Sequence, residues 1–212
     1  MTFYNPEHFR VDDREALVAF VERHAFGSLV STGPGGLAVS HVPFLPERGP
    51  DGRLRLLGHV ARANPHWRSL ESAAEVMAIL WGPHAYVSPT WYETAPSVPT
   101  WNYAVVHAHG AARLLPPEDL ARLVDRLSQT YEAGRPRPWR MAELSPQYVA
   151  KLLGAIVGFA IEVERLEGKF KLSQNRSAAD AKGVIAALEA SGEAGLAGLM
   201  RAARPVPPGE KG

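Results

Sequence analysis

Apolar residues recur at helical spacing in several segments of the chain. Between residues 12 and 24 they fall at i, i+3, i+4 and i+7, which places them on one face of a helix. Pro117–Tyr131 has the longest such stripe, and Glu118 and Asp119 stand at its start, where negative charge favours a helix. The predicted helices are Asp12–His24, Asn64–Leu70, Pro117–Tyr131, Ser145–Leu153 and Ala178–Arg204.

Between these helices lie Val- and Leu-rich runs separated by turn residues, a pattern typical of strands. Gly33–Gly36 supplies the backbone freedom of a tight hairpin, and Pro50–Gly52 forms a second turn. About six or seven strands joined mostly by turns, with helices appended, predict a mainly β fold, a closed or split antiparallel barrel of Greek-key type. The predicted strands are Ser28–Thr32, Leu37–Leu45, Arg53–Val60, Val76–Trp81 with Ala85–Val87 beyond Gly82-Pro83, Trp101–Leu115 and Val157–Val163.

The length of 212 residues and the mass of 23.0 kDa suit one main domain. We place this domain over residues 1–190 and expect residues 191–212 to form a helical extension that ends in a disordered tail, Pro205–Gly212. The chain has no cysteine, which excludes disulfide frameworks, thiolate metal sites and thiol nucleophiles. Its bias towards Ala, Arg, Gly and Pro is typical of a GC-rich bacterial genome.

Charge and hydropathy narrow the classes of partner. Lys and Arg total 23 and Asp and Glu total 22, so the formal net charge is +1 and we expect no tight sequence-specific binding to DNA. No apolar run reaches the ~18 residues of a membrane-spanning helix. The first ten residues have neither the cationic start nor the apolar region of a secretory signal, so a cytoplasmic location is expected.

The segment Gly58–Pro65 combines the features of an anion site. It runs from a predicted strand through a tight connection into a predicted helix start, where N–H groups and the helix dipole attract negative charge. Arg62 adds a planar guanidinium that suits phosphate. The structural alternative is a surface arginine next to Asn64 as a helix cap.

Two further groups of polar residues have both a functional and a structural interpretation. His107 and His109 lie two apart on a predicted strand and point to one face, where they could share a metal ion. Core or interface histidines are the simpler explanation, so no metal site is predicted. The segment Lys169–Arg176 carries three cations and three neutral polar side chains. These suit a phosphate or a polar ring, but a solvated strand exit would have the same composition.

Aromatic residues concentrate in one stretch of the sequence. Such rings can stack on flat ligands, fill an interface or form a core under loops, and the sequence leaves these alternatives open. The cluster comprises Trp81, Tyr86, Trp91, Tyr92, Trp101 and Tyr103.

Together these segments resemble one family, the PaiB-like FMN-binding negative transcriptional regulators. This family belongs to the FMN-binding split-barrel group, with the pyridoxamine-phosphate oxidases. Two of the matching motifs, PTWNY and KLSQNR, are specific in combination. The matching stretches are Tyr4–Phe9, Leu29–Thr32, Leu57–Asn64, Gly82–Tyr92, Val98–Gly110 and Gly168–Arg176.

The resemblance implies an FMN-binding split β-barrel that forms a homodimer, with FMN in clefts between the subunits. The phosphate would be held by Arg62, the helix start at Asn64, and Lys171. The polar edge of the ring would face the backbone around Ser40–Val42 and the Ser173–Gln174 pair, and Trp101 would cover the ring. The residues expected to bind FMN are Ser40, His41, Val42, His59, Val60, Ala61, Arg62, Asn64, Trp101, Asn102, Lys171, Ser173 and Gln174.

Three functions remain open at this point. The first is a flavin-binding protein with a regulatory or redox role; if it is an enzyme, it would be a flavin-dependent oxidoreductase whose cofactor performs the chemistry. The second is a haem-binding or haem-degrading split barrel with His84 or His107 as axial ligand. The third is a repressor that binds DNA directly, but Ser145–Leu153 is short for a recognition helix and carries one lysine.

Overall fold

A computed structural model of the chain describes residues 3–49 and 52–204. The predicted tail Pro205–Gly212 and most of the predicted turn Pro50–Gly52 lie outside these residues. The helices are α1 (Arg14–Arg23), α2 (His66–Ser72), α3 (Pro117–Glu132), α4 (Pro146–Gly154), α5 (Ala178–Ala190) and α6 (Ala194–Ala202). The strands are β1 (Arg10–Val11), β2 (Phe26–Gly33), β3 (Gly36–Pro43), β4 (Leu45–Arg48), β5 (Leu54–Ala61), β6 (Val76–Val87), β7 (Thr100–Leu114) and β8 (Ile156–Lys171).

The strands pair in the order β3-β2-β6-β7-β8-β5-β4, with β1 beside β8. The pairs β1–β8, β2–β3, β2–β6, β4–β5 and β5–β8 are all antiparallel. The β2–β3 hairpin closes at Gly33 opposite Gly36, and Gly36 has a φ of 93°, which a side chain would strain. The order begins at β3 and ends at β4 without returning to β3. A mainly antiparallel β fold with appended helices is confirmed.

β6 and β8 extend well beyond the strands that the sequence predicts. The expected break at Gly82-Pro83 does not occur, and β6 continues through it. The ladder between β2 and β6 ends where Gly27 pairs with Leu80, so Pro83 lies beyond it and its missing N–H removes no bond there. β8 continues to Lys171, so the first three residues of the cationic segment Lys169–Arg176 belong to this strand.

The chain divides into two compact units, and β6, β7 and β8 contribute residues to both. The first unit comprises the described residues of 1–17, 81–106 and 167–212, and the second comprises those of 18–80 and 107–166. No helix within residues 3–49 and 52–204 is both long and apolar enough to cross a lipid bilayer.

A pair of helices fills the core of the first unit. The sequence predicts one helix over Ala178–Arg204, but the chain turns at Gly192, where φ is 86°, and α5 and α6 form instead. Leu196 and Met200 of α6 are fully buried. The domain boundary at residue 190 stays a prediction. The buried cluster comprises Ala85, Val87, Leu172, Val184, Leu188, Leu196, Ala197 and Met200.

In the second unit, α3 packs on the sheet through its predicted apolar stripe. Leu120, Leu123 and Leu127 are buried along one side of this helix. Gly158 permits the close approach, because a Cβ there would lie 2.9 Å from Cδ1 of Leu120. The helix and sheet share the cluster Leu45, Leu57, Leu123, Leu127 and Ala160, with Leu115 against it.

Gly110→Ala should destabilise the second unit. A Cβ at Gly110 would lie 1.9 Å from the carbonyl oxygen of Glu162, a backbone atom of the neighbouring strand β8. The strands would have to move apart, at a cost of about 1–3 kcal/mol or more. Gly198→Ala is the matched control, because its Cβ would meet no atom within 4 Å. Alanine in a helix favours folding by about 0.5–1 kcal/mol relative to glycine.

Urea unfolding of both variants measures this difference. We expect a lower midpoint for Gly110→Ala and an equal or higher midpoint for Gly198→Ala than for the unmodified chain. Equal midpoints for the two variants would contradict the close approach of β7 and β8.

Candidate functional site

The connection between β5 and α2 carries two of the predicted binding residues. The Asn64 side chain occupies the start of α2, because its Oδ1 accepts a hydrogen bond from the backbone N–H of His66 at 3.0 Å. Nδ2 of Asn64 donates to Oγ of Ser40 at 2.9 Å. The structure therefore brings Ser40 and Asn64 together from β3 and from the end of β5.

His66 is a component of this site that the sequence analysis missed. The residue is 3% exposed, and its imidazole lies between two serine hydroxyls. Oγ of Ser40 is 2.7 Å from Nδ1, and Oγ of Ser31 is 2.9 Å from Nε2. Burial lowers the pKa of His66, so the ring is neutral at pH 7. The sequence signal was a histidine directly after Pro65, which does not separate a buried ring from an exposed one.

Arg62 is exposed, but two hydrogen bonds to backbone carbonyls hold its guanidinium in place. Nε donates to the carbonyl of Gly154 at 2.7 Å, and Nη2 donates to the carbonyl of Ile156 at 3.1 Å. The Arg62 carbonyl accepts a hydrogen bond from Nε1 of Trp67 at 3.1 Å. Nη1 takes part in neither guanidinium bond, so this cation can reach an anion while its other nitrogens stay anchored.

The predicted residues on β3 lie on opposite faces of the strand. Ser40 and Val42 are buried, whereas His41 between them is exposed, as the twofold repeat of a strand requires. Nδ1 of His41 is 3.0 Å from Oγ of Ser28 on β2. Ser40 therefore belongs with Asn64 and His66, and the His41 side chain does not.

On β5, His59 is half-buried, Val60 is buried and Ala61 is exposed. Nδ1 of His59 is buried and has no hydrogen-bond partner in the described part of the chain, and burial lowers the pKa of this residue. Its ring lines a cavity of about 260 Å³ whose walls include Tyr131 and Trp139. The three residues therefore have different environments.

Lys171, at the end of β8 in the first unit, is a half-buried cation. Nζ donates to Oγ1 of Thr100 and to the carbonyl of Trp101, the latter at 2.9 Å. Burial is the largest cause that lowers the pKa of Lys171, and the positive charges of Lys169 and Arg176 lower it further. The ammonium is thus held by neutral oxygens and repelled by neighbouring cations.

The turn after Lys171 is held in an unusual conformation by a buried amide. Ser173 has a φ of 62°, in the left-handed region that non-glycine residues seldom adopt. Nδ2 of Asn102, which is fully buried, donates to Oγ of Ser173 at 2.9 Å and reaches Sδ of Met200 at 3.5 Å. Nη2 of Arg204 donates to the Ser173 carbonyl at 2.9 Å. Asn102 therefore contacts Ser173, another of the predicted binding residues.

Gln174 closes the same turn with its own side chain. Oε1 accepts from the N–H of Leu172 at 2.7 Å, and Nε2 donates to the carbonyl of Phe170. Both ends of this amide are therefore bonded to the backbone of β8 and the turn, which fixes the position of Lys171 between them.

Trp101 is 53% exposed on β7. The His84 ring lies 6.2 Å from it and the Tyr86 ring lies 6.3 Å from it edge-on, measured between ring centroids. Trp91 and Tyr92, from the same predicted aromatic cluster, pack instead against the core of the first unit. The cluster thus divides into a core part and an exposed part, and Trp101 in the exposed part can stack on a ligand.

The two strand histidines, His107 and His109, lie close together on β7. Their ring centroids are 6.2 Å apart, and Nδ1 of His109 lies 3.5 Å from a carboxylate oxygen of Glu75. Within residues 3–49 and 52–204, no group of three His, Cys, Asp or Glu side chains is placed to hold a metal ion.

Comparison with known proteins assigns the chain to a family. A family model described as "Putative FMN-binding domain" matches residues 3–165. The chain is 38% identical over 186 residues to "Protease synthase and sporulation protein PAI 2" of Bacillus subtilis, which covers 88% of this chain and 89% of that protein. It is 35% identical over 187 residues to the uncharacterized protein AN0679 of Emericella nidulans, covering 71% and 74%. The chain belongs to the PaiB-like FMN-binding family that its motifs indicate.

Solved structures share the fold at low sequence identity. The flavocytochrome Anf3 of Azotobacter vinelandii matches with a TM-score of 0.60 and 18% identity, covering 76% of this chain and 69% of that one. An FAD- and haem-binding protein of Mycobacterium smegmatis matches with a TM-score of 0.59 and 17% identity, covering 82% and 78%. With the open strand order, these similarities confirm the split-barrel fold.

A buried carboxylate ties the loop after the short 3-10 helix Pro89–Trp91 to α5 in the first unit. Asp180 is 2% exposed, and its Oδ1 accepts from the N–H groups of Thr94 at 3.0 Å and Glu93 at 2.9 Å. Its own N–H donates to Oγ of Ser177, the cap of α5, at 3.0 Å. The hydrogen bond from Thr94 is the largest cause that holds the pKa of Asp180 below its ordinary value, and desolvation opposes it.

Asp180→Asn should lower stability at pH 7, and the difference from the unmodified chain should shrink in acid. The folded-state pKa lies below the unfolded value of about 3.9, so the carboxylate contributes fully above the unfolded value. This contribution is lost as the pH falls through the folded-state pKa. Urea unfolding at pH 7 and below about pH 3 measures both stabilities, and a difference that widens as the pH falls would contradict the assignment.

Proposed function

We propose that this protein binds FMN through its phosphate and serves a regulatory or flavin-redox role in the cytoplasm. Lys171 is the observation that carries the proposal. Its ammonium is half-buried, bonded to two neutral oxygens and repelled by Lys169 and Arg176. A bound anion relieves that repulsion and adds a charge-assisted hydrogen bond. Membership in an FMN-binding family makes a flavin phosphate the anion to test first.

Three further predicted residues suit parts of FMN by their chemistry. In the second unit, Arg62 has Nη1 outside its two carbonyl bonds, and Asn64 has a second hydrogen on Nδ2. In the first unit, the exposed indole of Trp101 suits a flat ring. When bound, FMN supplies the electron and hydride chemistry, and the chain binds, orients and shields it.

The regulatory part of the proposal is supported by the name of the Bacillus subtilis relative, "Protease synthase and sporulation protein PAI 2", which connects that protein with sporulation. We propose an indirect regulatory role, because 23 basic residues against 22 acidic ones leave little positive charge for a DNA-binding face. If the protein is an enzyme, we propose a flavin-dependent oxidoreductase.

The absorption spectrum of the purified protein tests the cofactor. We expect the blue absorption of a flavin, bleached by NADH or NADPH if the protein turns over as an oxidoreductase. If the protein is isolated without flavin, titration with FMN and with riboflavin replaces the spectrum. A Soret band without flavin absorption would overturn the proposal in favour of haem.

Lys171→Ala and Arg62→Ala should each weaken FMN binding. A charge-assisted contact to phosphate contributes about 1.5–3 kcal/mol, which corresponds to about 10- to 150-fold in affinity. Riboflavin lacks the phosphate, so its affinity should change little in a variant that has lost only a phosphate contact. Fluorescence titration of both flavins measures the two affinities.

Lys182→Ala is the matched control, because Lys182 is an exposed lysine on α5 of the first unit. It should bind both flavins like the unmodified protein. If Lys171→Ala also behaves like Lys182→Ala, Lys171 is not a phosphate ligand, and the same comparison applies to Arg62.

We also propose a homodimer, which the exposed apolar residues of each unit support. In the second unit, Phe26, Leu37 and Val39 on β2 and β3 are 63%, 66% and 52% exposed. In the first unit, Trp81 and Trp101 are each 53% exposed. Apolar surface of this kind favours association, and twofold pairing is the commonest form of it.

Light scattering at micromolar concentration should give twice the mass of one chain. Val39→Asp places a charge on the exposed face of β3 and should shift the mass towards the monomer. Gln147→Asp on α4, which adds the same charge at an exposed polar residue, is the control and should leave the mass unchanged. A monomeric mass for the unmodified protein would contradict the dimer.

A further inference from the structure

We infer that His66 is a positioning residue for phosphate binding: its neutral ring, held between Ser31 and Ser40, fixes Asn64 and leaves one hydrogen of its Nδ2 for a phosphate oxygen. This inference rests on the proposed function, because it concerns the FMN phosphate.

The backbone N–H of His66 can only donate, so the atom of Asn64 that lies 3.0 Å from it is the oxygen. Nδ2 of Asn64 is therefore the atom at Ser40, and it donates to Oγ. Of the two described partners of the Ser40 hydroxyl, only Nδ1 of His66, 2.7 Å away, can accept a proton, so we assign the Ser40 proton to that bond. Nε2 then carries the ring proton and donates to Oγ of Ser31 at 2.9 Å. Each polar atom of the chain from Asn64 to Ser31 thus has one consistent role.

The network needs a group at position 66 that accepts on one side and donates on the other. Neutral imidazole does both, and burial favours the neutral form by lowering the pKa of His66. Ser31 and Ser40 are 3% and 8% exposed, so neither hydroxyl can turn to bulk water if the ring is removed. The ring is therefore required for the orientation of the Ser40 hydroxyl.

The network also fixes the position of the β5–α2 connection relative to strands β2 and β3. Ser40 pairs with Leu29 across the β2–β3 ladder and Ser31 pairs with Ala38, so the two serines are diagonal neighbours on one face. Gly33 lets α2 approach β2, because a Cβ there would lie 2.9 Å from Oγ of Ser69. A single imidazole thus links β2, β3 and the start of α2, and Asn64 is held from both ends of its amide. The second hydrogen of Nδ2 stays available to an anion.

The test measures the ratio of FMN affinity to riboflavin affinity, which reports the phosphate contact and is insensitive to general loosening of the fold. His66→Leu removes both functions of the ring and should lower the ratio about 3- to 10-fold, the range of one hydrogen bond. His66→Gln keeps an acceptor and a donor on one side chain and should restore the ratio to within about twofold of the unmodified protein. Thermal unfolding of each variant confirms that it is folded at the temperature of the titration.

Two serine variants keep the inference falsifiable if His66→Leu does not fold. Ser40→Ala and Ser31→Ala are the same chemical change at buried sites that bond the same imidazole, but only Ser40 contacts Asn64. Ser40→Ala should lower the ratio, and Ser31→Ala should lower stability with the ratio retained. Equal ratios for the two serine variants, or an unchanged ratio in His66→Leu, would overturn the inference. If the unmodified protein itself binds FMN no better than riboflavin, the proposed phosphate site fails, and the inference fails with it.

Discussion

Three polar side chains that this fold buries, His66, Asp180 and Asn102, have hydrogen-bond partners inside it, and two of them support the candidate site. His66 is satisfied by two serines on neighbouring strands, and Asp180 by two backbone N–H groups of a loop. Asn102 holds Ser173 in the left-handed region of the backbone. An unpaired buried group of this kind costs about 1–3 kcal/mol. Each group therefore fixes the loop or turn beside it, and the segments beside His66 and Asn102 carry candidate ligands.

The positive charges of this protein are grouped locally, although its net charge is small. The formal net charge of +1 does not indicate an anion-binding site. In the first unit, however, Lys169 and Arg176 lie close enough to Lys171 to lower its pKa. In the second unit the guanidinium of Arg62 is bonded to two backbone carbonyls. The local electrostatic potential decides where an anion binds, and the net charge of the whole chain does not report it.

Much of the fold was predictable from local pattern. The β2–β3 hairpin at Gly33–Gly36 and the apolar stripe of α3 both follow from residues close in sequence, and both are confirmed. The continuation of β6 through Pro83 was missed, because that proline is tolerated only where the β2 ladder has already ended. The division of the C-terminal segment into α5 and α6 at Gly192 was missed as well. A glycine inside an Ala-rich helical pattern lowers the stability of the predicted helix but does not by itself indicate that the helix ends there.

The sequence by itself determined the class of fold and the family, because turn residues, strand patterns and the PTWNY and KLSQNR motifs are read from neighbours along the chain. It also placed Asn64, Ser40 and Lys171 among the candidate ligands. Only the tertiary structure decided which of them touch and what supports them: Asn64 meets Ser40 across 24 residues, and Asn102 meets Ser173 across 71. His66 became visible only there, because the environment of an imidazole depends on which strands close around it, and strand pairing brings together residues that no local pattern connects.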